Sequence, residues 1–269
     1  MKLFDSHCHL NDPAFRKDLQ DTVNRMEKAG VCGVMIVGID RKNSAEAVNL
    51  AQTRPGFFAS VGIHPHDARD CTKEDISFLR GLAQNPKVRA WGETGLDFNR
   101  MYSPAADQEK CFVRQLETAD ELGLPLIFHE RDSKGRFGEI LRTSYNKERR
   151  GVVHCFSGNR REMDSYLEMG FFIGITGIVT VKTRGEELRS LVPHIPKDRI
   201  LIETDAPYLT PAPQRNQHRR NEPAFVKSVL LKVAEVRGED PEILSDTVWE
   251  NTCRLFGIGQ EEFTARMIT

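Results

Sequence analysis

The first hydrophobic run of the chain ends in two histidines, His7 and His9, which one cysteine separates. In a β-strand successive side chains point to opposite faces, so both imidazoles would project to the same side. Two imidazoles on one face can share a metal ion. A single pair of this kind is more often two ordinary polar residues at a strand end. Its meaning therefore depends on whether the later hydrophobic runs also end in metal-binding residue types.

Residues that commonly bind metals do end later hydrophobic runs of the chain. They are His64, Glu93, His129, His154 and Asp205. Without His64, the full set comprises four histidines and two carboxylates, which matches a centre for two ions with one bridging carboxylate, assigned to Glu93. The first ion would be held by His7, His9, Glu93 and Asp205, and the second by Glu93, His129 and His154.

The hydrophobic pattern predicts the elements that must position these side chains. Eight short apolar runs alternate with longer amphipathic stretches, which is typical of βα units around a parallel sheet. The runs cover residues 3–7, 33–37, 57–62, 88–92, 124–129, 151–155, 171–175 and 199–205. Eight units predict an α/β fold, one closed (β/α)8 or TIM barrel, whose strands all end at the same rim. The candidate ligands would converge at that rim.

Helix signals support the same organisation. Ser103, followed by Pro104, predicts the N-cap of a helix that Gly123 ends. Residues 223–237 and 241–256 are predicted to form two closing helices after the eighth strand. No low-complexity linker or internal repeat interrupts the pattern, so residues 1–269 are interpreted as a single domain.

Composition narrows the possible functions. The six cysteines show no C-x-x-C pair, which argues against a disulfide framework and a thiolate zinc site. The formal net charge of −1 provides no global basic field, so contact with a polyanion would need a local patch. No run is long enough to span a membrane, and the start lacks the apolar segment of a secretory signal. We therefore expect a cytoplasmic protein with no membrane association and no obligate protein partner.

Several motifs in this chain resemble those of one known enzyme family. They are His7–His9, Gly92–Phe98, His129–Asp132, His154–Gly158, Glu203–Leu209 and Arg219–Pro223. Their order and spacing resemble the TatD family of metal-dependent deoxyribonucleases over nearly the whole chain. The resemblance implies a (β/α)8 barrel of the amidohydrolase superfamily and hydrolysis of DNA phosphodiester bonds. It also implies that the family's metal ligands fall on His7, His9, Glu93, His129, His154 and Asp205.

The expected chemistry is attack by a water that two metal ions activate. Asp205 is the candidate general base, because it would be both a metal ligand and a neighbour of that water. Glu203, two residues earlier on the same strand face, would either orient ligands or act as a hydrogen-bond acceptor inside the barrel. His64 is predicted to contact the phosphate or the leaving group, with a purely structural role as the alternative.

Basic side chains in the loops indicate where a phosphate backbone would bind. Loops after strands seven and eight of such barrels often bind phosphate, and here they carry several basic residues. They are Lys182, Arg184, Arg215, His218, Arg219 and Arg220. Arg131 adds a fork-shaped donor close to the predicted metals. Phe98, Tyr102 and Tyr208 could stack on the bases of single-stranded DNA or of frayed ends, or could close the core.

The identity of the two divalent metal ions stays open at this stage. Imidazole-rich ligation suits Zn²⁺ or Mn²⁺ better than Mg²⁺, whereas the family resemblance implies magnesium. The substrate also has alternatives, since the same ligands serve amidohydrolases or ester hydrolases that act on a small molecule or on aminoacyl-tRNA. A metal-binding protein without catalytic activity is a third interpretation.

Overall fold

The computed structural model describes residues 1–264. It contains eight parallel strands, each hydrogen bonded to the next in chain order. They are β1 Leu3–Cys8, β2 Val31–Ile36, β3 Phe57–Val61, β4 Val88–Asp97, β5 Leu126–Arg131, β6 Gly151–Val153, β7 Phe172–Ile175 and β8 Ile200–Ile202. The segment after β8 closes the sheet on β1, because Asp205 N–H donates to His7 O at 2.9 Å and His9 N–H donates to Ala206 O at 2.7 Å. The predicted (β/α)8 barrel is confirmed.

Helices follow the strands around the barrel. They are α1 Leu19–Lys28, α2 Arg41–Ala51, α3 Lys73–Leu82, α4 Ala105–Leu122, α5 Arg136–Thr143, α6 Arg160–Glu168, α7 Glu186–Leu191, α8 Val226–Arg237 and α9 Pro241–Phe256. The last two confirm the predicted closing helices. Within residues 1–264, no helix combines the length and the apolar character that crossing a membrane requires.

Hydrophobic side chains fill the part of the barrel nearest the amino-terminal ends of the strands. Each strand contributes one buried residue to this cluster: Phe4, Met35, Phe58, Ala90, Ile127, Val152, Phe172 and Leu201. Trp249 and Phe256 of α9 pack against them. A second cluster joins the strands to the surrounding helices. Because α9 covers the amino-terminal end of the strands, the ligand-bearing carboxyl rim is the end that stays open.

The strand β4 extends beyond its predicted end at Gly92 and continues to Asp97. Its continuation pairs with β5, with Gly95 opposite His129. Gly95 has a φ of +148°, and a Cβ there would lie 1.9 Å from His129 O. Only glycine allows the two backbones to approach so closely. The approach fixes the height of His129 relative to Glu93 along the barrel axis. Trp91 is paired with Leu126; Glu93 lies two residues after Trp91, and His129 lies three residues after Leu126.

The predicted N-cap at Ser103 is wrong. The helix α4 begins after Pro104 without a side-chain cap, while its predicted end at Gly123 is confirmed by a left-handed C-cap. The Ser103 hydroxyl instead donates to His66 O at 2.7 Å and accepts from Arg69 N–H at 3.0 Å. Proline supplies the preset first turn, so the serine is available to hold the neighbouring turn, Pro65–Asp70.

We predict opposite effects of alanine at two glycines. Gly95→Ala should lower the free energy of unfolding by about 3 kcal/mol or more, because a methyl group would clash with the backbone of His129. Gly81→Ala in α3 should raise it by about 1 kcal/mol, since nothing lies within 4 Å of the added carbon. Urea unfolding of both variants measures the difference, and equal midpoints would contradict the close approach of β4 and β5.

Candidate metal centre

The predicted metal ligands meet at the carboxyl rim of the barrel. They are His7 in β1, His9 directly after β1, Glu93 in β4, His129 in β5, His154 directly after β6 and Asp205 shortly after β8. Glu93 lies in the middle of the extended β4, and the others sit near the end of their strands or in the first residues after them. The sequence-based expectation that the barrel brings these residues together therefore agrees with the observed geometry.

The first group of ligand atoms joins β1, β4 and the segment after β8. His7 Nε2 lies 3.3 Å from His9 Nε2 and 3.5 Å from Glu93 Oε2. Asp205 Oδ1 lies 3.4 Å from His9 Nε2. His7, His9 and Glu93 form one group that could hold a metal ion, and Asp205 forms another such group with His7 and His154. Imidazole nitrogens and carboxylate oxygens are donors that fit a divalent cation.

The second group surrounds the other oxygen of Glu93. Glu93 Oε1 lies 2.7 Å from His129 Nδ1, 3.0 Å from His154 Nε2 and 3.4 Å from His64 Nε2. The rings of His7 and His154 stack between the two groups, with centroids 3.8 Å apart. One carboxylate therefore presents an oxygen to each of two sets of imidazoles, the arrangement expected of a bridging ligand.

His64 lies deeper than the sequence predicted. Its Nε2 is 3.2 Å from His129 Nδ1, and the two histidines and Glu93 form one of the groups that could hold a metal ion. The turn after it orients the ring, because His64 Nδ1 accepts from His66 N–H at 3.0 Å. Burial lowers the pKa of His64 to about 4, so the ring is neutral and Nε2 can be a ligand. The geometry therefore allows His64 to be a metal ligand, while its contact with the phosphate or the leaving group stays a prediction.

Both carboxylates of the cluster are ionised despite their burial. Burial raises the pKa of Glu93, but the charge of His154 and hydrogen bonds with His129 and His154 hold it well below its usual value. For Asp205 burial is likewise outweighed by contacts with His9 and by the charge of His154, so its pKa is also lowered. Anionic oxygens among imidazoles provide the charge that a divalent cation requires.

Glu203 lies beneath the cluster and positions His154. Its Oε1 accepts from Cys155 N–H at 2.5 Å and lies 3.2 Å from His154 Nδ1. Ser6 donates to Oε2 at 3.4 Å. Because Glu203 is fully buried, it has no access to a substrate, and its contact with His154 fits the first of its two predicted roles, that of orienting a ligand.

Two further supporting carboxylates were missed by the sequence analysis. Asp97 Oδ2 lies 2.8 Å from His66 Nε2 and 3.3 Å from His129 Nε2, so it orients the ring of His129. Asp5 accepts hydrogen bonds from the N–H and hydroxyl of Thr204, beside Asp205. Asp5 directly follows the apolar residues Leu3 and Phe4 in β1, and Asp97 follows Leu96 at the end of β4. An acidic residue beside buried strand positions is the signal that could have revealed them.

A cavity of about 810 Å³, here called the metal pocket, opens above the cluster. Arg131, predicted to bind substrate, lines it together with Arg100 and Arg184. The aromatic rings of Tyr102 and Tyr208 also line it and are more than half exposed. Phe98 packs against the hydrophobic core, which fits the second of its two predicted roles.

The predicted pair Arg219 and Arg220 separates in the structure. Arg219 lines a second cavity next to the metal pocket. Arg220 points to the barrel wall, where its guanidinium donates to both oxygens of Asp18 at 2.7 Å and to Ala14 O at 2.6 Å. It also lies over the ring of Phe15. These contacts occupy the guanidinium, so the prediction that Arg220 binds substrate is corrected to a structural role.

A (β/α)8 barrel with a cluster of imidazoles and carboxylates at its open rim defines the class of metal-dependent hydrolases. Comparison with known proteins identifies the family. The sequence matches the family of TatD related DNases over residues 4–257, and the chain belongs to this family. It is therefore an enzyme that hydrolyses phosphodiester bonds, and it belongs to a metal-dependent family.

Individual relatives are similar over nearly their whole length. The chain is 43% identical over 259 residues to the 3'-5' ssDNA/RNA exonuclease TatD of Rahnella sp. (strain Y9602), covering 95% of this chain and 98% of the relative. It is 42% identical over 258 residues to the protein of the same name from Escherichia fergusonii, covering 95% and 99%. The crystal structure of YjjV, a TatD homologue from Escherichia coli K12, has a TM-score of 0.88 at 27% identity, covering 96% and 98%.

The corrected role of Arg220 makes a prediction about stability. Arg220→Gln should lower the free energy of unfolding at neutral pH by about 1–3 kcal/mol, because Asp18 loses its two hydrogen bonds with Arg220 and keeps the one with Arg25. The Arg220 contact holds the pKa of Asp18 below its usual value. The stabilisation is therefore fully present above the usual aspartate pKa of about 4 and is lost as the pH falls toward the lowered pKa.

Arg219→Gln is the matched control, since its side chain makes no ion pair among residues 1–264. It should change the free energy of unfolding by less than about 0.5 kcal/mol. Urea unfolding of both variants between acid and neutral pH measures the two effects. Equal stabilities at neutral pH, or a difference that grows in acid, would contradict the structural role of Arg220.

Proposed function

We propose that the protein is an exonuclease that shortens single-stranded nucleic acid, DNA in particular, from its 3′ end. Two divalent cations, Mg²⁺, Mn²⁺ or Zn²⁺, would assist the reaction. The observation that carries the proposal is the position of Glu93, with Oε2 3.5 Å from His7 Nε2 and Oε1 2.7 Å from His129 Nδ1. The direction of attack and the single-stranded substrate are supported by the name of the relatives, 3'-5' ssDNA/RNA exonuclease.

The donor set fits two cations. His7, His9, Glu93 and Asp205 would hold one, and Glu93, His129 and His154, joined by His64, would hold the other. When bound, the cations supply positive charge for the phosphate oxygens and lower the pKa of water. Zn²⁺ and Mn²⁺ suit the imidazoles, while Mg²⁺ favours oxygen ligands.

Asp205 is the carboxylate that can accept a proton from the attacking water. Its side chain is 15% exposed, whereas that of Glu93 is 4% exposed, so Asp205 faces the metal pocket more openly. The backbone holds it there in a left-handed conformation with φ of +58°. Its N–H donates to His7 O at 2.9 Å, and its carbonyl accepts from Tyr208 N–H at 2.8 Å. A fixed, ionised carboxylate at the opening is suited to general-base catalysis.

The walls of the metal pocket suit an unpaired strand. Arg131 and Arg184 bring positive charge close to the cluster, where a phosphodiester would lie. Tyr102 and Tyr208 are 59% and 53% exposed, and such rings stack on bases that are free of a partner strand. Hydrolysis of a small amide or ester would leave the arginines and exposed tyrosines without a role. A cytoplasmic location and the lack of an obligate protein partner stay predictions from the sequence.

We predict that a 5′-labelled single strand is shortened stepwise from its 3′ end when Mg²⁺ or Mn²⁺ is added, and that a chelator stops the reaction. Asp205→Asn should lower kcat by about 100- to 10,000-fold while KM changes by less than about tenfold, because the base is lost and the binding groups stay. Gel analysis of single-turnover and steady-state reactions measures both effects.

Asp70→Asn serves as the matched control, since Asp70 is an exposed aspartate outside the metal pocket. It should keep the wild-type kcat. Release of the 5′ label as the first product, or activity that survives the chelator, would contradict the proposed reaction. A kcat of Asp205→Asn within about tenfold of wild type would remove Asp205 as the base.

A further inference from the structure

A second cavity of about 910 Å³ adjoins the metal pocket. It lies between the segments after β7 and β8, and the two cavities share Ile178, Arg184, Tyr208 and Leu209 as walls. Its basic side chains are here called the basic annex: Lys182, Arg184, Arg215, His218 and Arg219. A strand could therefore pass from one cavity to the other along Tyr208.

The lining of this cavity carries charge of one sign. Among the described residues that line it, five are basic and none is acidic. The cavity beside α2 and α3 differs, because five acidic residues and two basic ones line it. The whole chain has a formal net charge of −1, so the positive charge of this cavity is a local feature that the charge of the whole chain does not show. A concave surface of one sign attracts a ligand of the opposite charge.

The cations of the basic annex also lack internal partners. Within residues 1–264, Lys182, Arg184, Arg215 and Arg219 form no ion pair, whereas the adjacent Arg220 is bound to Asp18. Unpaired cations grouped on one wall repel one another. A series of phosphates, which repeats negative charge along its length, would relieve this repulsion and release counterions.

Hydrogen bonds fix the backbone that carries these side chains. Arg189 donates to Val179 O at 3.0 Å and to Val181 O at 2.7 Å, which holds the segment leading to Lys182. Ala212 N–H donates to Thr180 Oγ1 at 2.8 Å and so joins the segments after β7 and β8. The basic side chains therefore project from a preorganised frame, which lowers the entropic cost of binding a strand.

We propose that the basic annex binds the backbone phosphates of the part of the strand that stays intact after each cut. The proposal rests on the proposed function, since it takes the scissile phosphate to lie at the metal centre. Tyr208, exposed at the passage between the two cavities, stacks on a base of the nucleotide that crosses it. Affinity then comes from phosphates outside the metal pocket, so a long strand binds more tightly than a dinucleotide.

The test compares two double variants that remove the same charge. Arg215→Gln/Arg219→Gln changes residues that line the annex but not the metal pocket. Lys28→Gln/Lys147→Gln changes two exposed lysines beside the amino-terminal ends of β2 and β6. Fluorescence anisotropy measures the binding of a fluorescein-labelled oligothymidylate of about 10 nucleotides over a range of salt, with a chelator present.

The annex variant should bind the oligonucleotide about tenfold more weakly, and the slope of log affinity against log salt should fall by about 1.4, or 0.7 for each lost phosphate contact. The lysine control should keep the wild-type slope. An unchanged slope in the annex variant, or an equal change in the control, would overturn the proposal. Because this binding assay needs no turnover, its outcome is independent of whether the enzyme proves to be a 3′ exonuclease.

Hydrolysis supplies a second readout. KM of the annex variant should rise about tenfold for the long oligonucleotide and stay within about twofold for a dinucleotide, with kcat unchanged for both. Equal losses on the two substrates would also overturn the proposal, since they would assign the arginines to the scissile phosphate instead of to the retained strand.

Discussion

The structure depends on one buried carboxylate that faces two sets of imidazoles. A carboxylate removed from water is costly unless cations or hydrogen-bond donors surround it. Glu93 satisfies this requirement on both oxygens, with His7 and His9 near Oε2 and His129 and His154 near Oε1. Since these histidines come from three different strands, only closure of the barrel can bring them around it. The candidate metal centre therefore forms only when the barrel closes.

Polar contacts beneath the cluster fix the orientation of its imidazole rings. Glu203 orients His154, and Asp97 orients His129, so each ring presents its other nitrogen to Glu93. The close approach of Gly95 to His129 sets the relative height of β4 and β5. Preorganised ligands reduce the reorganisation that binding of cations would otherwise require. The proposed general base, Asp205, can then lie at the surface of a rigid support.

The role of a residue can be predicted from the sequence when it depends on the position of that residue along a strand. It cannot be predicted when it depends on a partner that is distant in the sequence. His7 and His9 are predicted by strand alternation, and the barrel is predicted by eight hydrophobic runs. Arg219 and Arg220 look alike in sequence, but Asp18, 202 residues away from Arg220, binds only the second. In the same way, the depth of His64 depends on the turn after β3, which hydrophobic periodicity does not specify.

Metal stoichiometry tests the central position of Glu93 most directly. Equilibrium dialysis against Mn²⁺ followed by elemental analysis should give about two ions per wild-type chain and fewer than one for Glu93→Gln, because neither site keeps its shared anion. Glu130→Gln provides the matched control: Glu130 lines the same pocket but is hydrogen bonded to Ser133 outside the cluster, so two ions should remain. Wild-type stoichiometry in Glu93→Gln would contradict a shared carboxylate at the centre.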